Sequence, residues 1–172
     1  MATGGMNEAK KRLITLIREA EPALGATEPT THVFGDWRLG IEKVYGPKTG
    51  PKLPVVTVRV SPARVQSSFY GRVWESDVSG KYGDVGLYAF TAHCFASACT
   101  ASGEEKYKHA HDLAEKIMQY LATRDWNSSP HDSYPIGDVF DMSARESEPS
   151  KGGAHKVCRV IIEGTMLVRR ED

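Results

Sequence analysis

Residues Ser102 to Trp126 read SGEEKYKHAHDLAEKIMQYLATRDW, and this stretch states its own start, buried side and end. Ser102 followed by Glu105 has capping-box spacing, in which the serine hydroxyl accepts from a first-turn N–H and the glutamate reaches back to the serine N–H. Downstream, Ala110, Leu113, Ala114, Ile117 and Leu121 recur at intervals of three and four, so at about 3.6 residues per turn they line one side of a helix. Lys106, Lys108, Asp112, Lys116 and Gln119 fall mostly elsewhere. Glu104 to Lys108 and Asp112 to Lys116 have the acid-before-base spacing that adds a few tenths of a kcal/mol per pair. Asn127, Ser128, Ser129 and Pro130 end the helix, because proline restricts the residue before it and has no N–H to continue the ladder. The segments on either side read as strands for this helix to cover.

Working outward, the apolar positions Ala9, Leu13, Leu16, Ile17 and Ala20 keep helical spacing between Asn7 and Glu21, and Pro22 stops that first helix. From Ala23 to Pro54 the chain is rich in proline and glycine, and only Thr31 to Trp37 and Arg38 to Tyr45 look extended. Val55 to Val60 is a strand, with Val56, Val58 and Val60 on one face and Thr57 and Arg59 on the other. Pro62 interrupts it, and Val65 to Trp74 with the turn Ser79 to Gly83 suggests a long hairpin over 67–86. Val85 to Ala98 is apolar on both faces, as a central strand is. Ile136 to Glu146 and Lys156 to Arg169, joined by the polar link Ser147 to Ala154, are expected to pair antiparallel, with a bulge marked by Gly164. The order predicts an α+β fold, a mainly antiparallel sheet packed against an N-terminal helix and one long amphipathic helix. Residues 1–172 are expected to form a single domain with a flexible insert over 46–54.

Composition narrows the function. A chain of 172 residues, 40% hydrophobic and 26% charged, is ordinary for one domain with its own core. Basic and acidic residues number 22 each, so no global field draws the chain toward nucleic acid or an anionic membrane. No apolar run approaches the roughly 20 residues that span a bilayer, and the opening MATGGMNEAKKR lacks the apolar stretch of a secretory signal. A cytosolic protein with no membrane contact is expected. Cys94, Cys99 and Cys158 are then expected as reduced thiols.

Candidate chemistry is sparse. His93, Cys94, Cys99, His109 and His111 are residue types that bind zinc. However, His93 and Cys94 are consecutive on a strand and point to opposite faces, and His109 and His111 diverge by roughly 200° on a helix. Cys94 lies in the most apolar strand, a poor setting for a nucleophile. Neither Gly35 to Gly40 nor Gly80 to Gly86 precedes a helix as a phosphate cradle requires. Asp138, Asp141, Glu146 and Glu148 are carboxylates on or beside a strand, and Asp138 and Glu146 stand too far apart to act together. No catalytic residue, cofactor or metal site is therefore expected. Lys43, Lys48 and Lys52, with Tyr45, form the nearest thing to a local phosphate-contact patch.

The order of elements resembles the tail terminator (tail completion) proteins of long-tailed bacteriophages and related viruses. The likeness is carried by Leu13 to Ala20, by Val55 to Val60, by Leu87 to Ala98 running into Ser102 to Leu121, and by the closing strands ending in Thr165 to Arg169. It is a likeness of pattern over most of the chain, without a short motif to transfer. It implies a non-enzymatic virion protein, assembled in the host cytoplasm, that forms a homohexameric ring at the head-proximal end of the tail tube. Tail-tube and neck proteins are its implied partners, and genomic DNA passes through the ring. Neck and head-completion proteins share related architecture and stay open as the class. A reading of a different kind is a cytosolic enzyme or small-ligand binder with a pocket near Tyr88, His93 and Cys94.

Assembly is also suggested by surplus apolar strand surface. Val157, Ile161, Met166 and Leu167 in the closing strand, with Val55 and Val73, exceed what two helices cover, and such a surplus marks an interface. These four residues of the closing strand are the candidate subunit interface. The loop bearing Lys43, Tyr45, Lys48 and Lys52 is the candidate contact with a lumen or partner.

Overall fold

The computed structural model describes residues 6–20, 33–34, 55–62, 74–75, 82–96, 103–126, 135–147 and 158–171. Their elements, in chain order, are α1 (Met6–Ala20), β1 (Val33–Phe34), β2 (Val55–Pro62), β3 (Trp74–Glu75), β4 (Tyr82–Ala96), α2 (Gly103–Thr123), β5 (Ile136–Ser147) and β6 (Cys158–Glu171). The fold is α+β, with four antiparallel strands in the order β2–β4–β6–β5 and two helices. β1 extends the sheet beyond β2 in parallel, and β3 pairs with the start of β4. The lysine segment over 43–52, the insert over 46–54, the Ser102 cap, most of the 67–86 hairpin and the link from 148 to 157 lie outside the described residues.

Strand parity decides the two faces of the sheet. β4 and β6 pair without a break from Gly83↔Glu171 to Ala96↔Cys158. Phe90, Ala92, Cys94 and Ala96 of β4 therefore share a face with Cys158, Val160, Ile162, Met166 and Val168 of β6. Val56, Val58 and Val60 of β2 join them, and both helices pack on this side. From α1, Ala9, Leu13, Leu16 and Ile17 are fully buried, and from α2 come Ala110, Leu113, Ala114, Ile117 and Leu121. The three- and four-residue intervals read from the sequence place these side chains on the helix flanks that meet the sheet. Burying each large aliphatic side chain stabilises the fold by about 1.5–3 kcal/mol.

The bulge expected at Gly164 is real, but the extra residue belongs to the partner strand. Between Phe140↔Thr165 and Ser143↔Glu163, β5 spends Asp141 and Met142 opposite Gly164 alone. Asp141 takes a left-handed backbone there, with φ 52°, a conformation aspartate tolerates better than most residues. A second shift in register sits between Ile136 and Asp138, at Gly137. Gly164 is needed for a different reason. It lies across from Phe90, and a Cβ on it would stand 2.6 Å from Phe90 Cε1 and 3.0 Å from Met142 Cγ. The missing side chain gives the Phe90 ring its place in the core.

Candidate functional site

Parity also sorts the residues singled out from the sequence. Ile161 and Leu167 face away from the helices, Ile161 buried and Leu167 half-buried. Met166 does not join them. It is fully buried among the core residues on the helix side, because adjacent residues of a strand point to opposite faces. Val157, Lys43, Tyr45, Lys48 and Lys52 lie outside the described residues. The pocket drawn around Tyr88, His93 and Cys94 fails for the same reason as the Met166 assignment. Tyr88 and Cys94 face the helices, whereas His93 faces the other way beside Thr57 and Ile161.

The local chemistry of these groups is that of packing. Burial pushes the Cys94 thiol up to about 12, which keeps it protonated and unreactive at neutral pH. His93 stacks on Phe95 with ring centres 6.2 Å apart. Its pKa is held below the usual histidine value, first by burial and then by Arg159 and Arg145, with Glu163 opposing. Among the described residues, no three His, Cys, Asp or Glu side chains converge as a metal site would need.

The sheet face turned away from the helices has a definite character. Arg59 of β2, Arg145 of β5 and Arg159 and Arg169 of β6 project on this side. Glu163 and Asp138 lie on the same side, and Arg145 Nη2 donates to Glu163 Oε1 at 3.2 Å. Between the arginines lie Leu87, Ala89 and Leu167, each half-buried. The face thus mixes half-buried apolar side chains with arginines and the exposed Glu163.

An open groove of about 740 Å³ runs between the outer flank of α2 and the edge strand β5. Ala114, Met118 and Ala122 form one wall, spaced four residues apart and so one above the other on the helix. Val139 and Met142 form the other wall. The charged groups that line the groove are Glu115 and Asp141, with His111 at one end and no lysine or arginine. At that end His111 Nε2 lies 2.5 Å from Glu146 Oε1, tying α2 to β5. The groove can thus accept apolar side chains flanked by cationic ones. The bulge shapes it, since Asp141 and Met142 both line it.

Sequence reading missed one further cluster, which joins the C-terminal ends of the two helices. Tyr120 donates its hydroxyl hydrogen to Glu19 Oε2 at 2.7 Å and accepts from Arg124 Nη1 at 2.9 Å. Arg12 Nη1 lies 3.5 Å from Glu19 Oε1, and the Arg124 guanidinium stands 5.5 Å from the Trp126 ring centre. Burial and the hydrogen bond to Glu19 raise the Tyr120 pKa. The Tyr120 to Arg124 spacing of one helical turn was a readable half of this signal. Glu19, 101 residues away from Tyr120, was not.

No protein-family model matches the chain, and no curated protein matches it either.

Proposed function

We propose that this chain is a structural virion protein, a tail terminator or head–tail joining subunit that forms a homohexameric ring and caps the tail tube. The observation that carries the proposal is the layered architecture. A mainly antiparallel sheet has α1 and α2 on the face of Phe90, Ile162 and Met166, and on its other face Leu87, Ala89 and Leu167 lie half-buried among arginines. In this reading Gly103–Thr123 is the long amphipathic helix of such proteins, and β5 with β6 is their closing hairpin. Apolar side chains that stay partly accessible outside the helix-covered core suit an assembling subunit.

In this reading Lys43, Lys48 and Lys52, outside the described residues, are the candidate contacts with passing DNA or a neck protein. The test is electron microscopy and sedimentation of the purified full chain, alone and mixed with tail tubes. Closed six-fold rings that seat on tube ends are expected. A chain that stays monomeric and leaves tube ends bare refutes the proposal, and seating on the portal side of the neck instead moves the protein to the head-completion class. Reversal of charge at Lys43, Lys48 and Lys52 is expected to leave folding intact and to lower infectivity of assembled particles.

A further inference from the structure

We infer that the groove between α2 and β5 is the socket in which one copy of this chain receives the arginine-bearing sheet face of the next, so that copies associate head to tail. This rests on the ring reading above and assigns the two surfaces that would build it. Charge is segregated on the molecule although its net charge is zero. The groove lining carries Glu115 and Asp141 with no lysine or arginine, whereas the opposite sheet face carries Arg59, Arg145, Arg159 and Arg169, with Glu163 and Asp138 among them. Each surface also has an apolar centre, Met118 and Met142 in the groove and Leu87 and Leu167 on the sheet, so contact would remove hydrocarbon from water on both sides.

The same charges select the symmetry. A two-fold dimer through the groove would press Glu115 and Asp141 against their own copies, and one through the sheet face would press arginine against arginine. Both arrangements are penalised by like charge. Groove against sheet face pairs unlike charges, and the two surfaces do not overlap, so every copy can use both at once. Contacts of that heterologous kind propagate from copy to copy and end only when a rotation closes them.

Two full-length variants test the inference. Glu115→Arg with Gln119→Arg makes the groove basic at two exposed helix positions, and Arg59→Glu with Arg145→Glu makes the sheet face acidic. Each variant alone is expected to lose association by about tenfold or more, measured by sedimentation equilibrium, with circular dichroism unchanged. Mixed in equal amounts, the two should associate again, because each then offers the surface that the other lacks. Association of the wild type should also weaken as salt rises from 50 to 500 mM, about a threefold drop in Debye length. If a variant shows disrupted circular dichroism, the milder Glu115→Gln takes its place and should weaken association in the same direction. Rings that persist in either variant overturn the groove assignment and leave the ring reading standing. A mixture that stays apart overturns the pairing of these two surfaces. A wild type with no self-association at any concentration overturns both.

Discussion

Replacing Gly164 with alanine tests whether the core is built around the Phe90 ring. The added methyl would lie 2.6 Å from Phe90 Cε1 and 2.8 Å from Cζ, well inside contact distance, and 3.0 Å from Met142 Cγ. Phe90 is only 2% exposed and sits among the core residues, so its ring has little space to yield. Overpacking of this kind costs about 1–3 kcal/mol. Against that, alanine restricts the unfolded chain and returns about 0.4–1 kcal/mol, since Gly164 has a backbone that any residue can adopt. The expected net loss is therefore about 0–2.6 kcal/mol, read as a fall in the urea midpoint at constant slope. Steric conflict, rather than a general intolerance of alanine, is isolated by the double mutant with Phe90→Leu. The smaller side chain should absorb the methyl, so the pair should destabilise less than the sum of the singles by about 1 kcal/mol or more. A Gly164→Ala protein clearly more stable than wild type, or a double mutant that is additive within about 0.5 kcal/mol, would refute the reasoning.

Three further outcomes follow from the core and its edges. Ile117→Ala is expected to cost about 2–5 kcal/mol, as truncation of a fully buried aliphatic does, and an unchanged thermal midpoint would contradict the packing of α2. Cys94, with its thiol pushed up to about 12, should hold only ~10⁻⁴ of its population as thiolate at pH 8, so alkylation mapped by mass spectrometry should label it after denaturation and not before. Tyr120 has a folded pKa raised above its ordinary value of 10.0. Its contribution to stability is therefore fully present below about pH 10 and is lost as pH rises through the folded value. Tyr120→Phe should lower stability at pH 8 by about 0.5–1.5 kcal/mol and flatten the alkaline decline, which urea titrations at several pH values would reveal.

The parts of the fold that were legible in the sequence are those written as periodicity. Val56, Val58 and Val60 alternate as a half-buried strand does, and Leu13, Leu16 and Ile17 repeat as a helix does; both sets are buried where the pattern puts them. The closing strands pair antiparallel as their apolar runs and polar link indicated. Hydrophobicity alone does not separate the two faces: Met166 is as apolar as Ile161 and Leu167, yet as an even-numbered neighbour in a continuous strand it faces the other way. Alternation likewise parts His93 from Tyr88 and Cys94. Other features were beyond reach because they depend on partners distant in sequence. The close approach of Phe90 to Gly164 joins residues of two different strands, and the Glu19–Tyr120 bond needs the crossing of two helices. The groove shared this difficulty, since Met118 gains its meaning from Val139 and Met142 on a strand that the helix sequence does not mention.

The left-handed turn at Asp141 has a consequence for the protein before it finds any partner. A long edge strand offers a row of unpaired N–H and C=O groups on which any extended chain can template, and β5 is such an edge, running from Ile136 to Ser147. The kink at Asp141 breaks that row near its middle, and beyond it Ser143, Ala144, Arg145 and Glu146 are exposed, two of them charged. At the opposite margin the sheet ends, among the described residues, in the two-residue strand β1. Among the described residues, the sheet's margins thus offer no long unbroken row of backbone groups on which another extended chain could template.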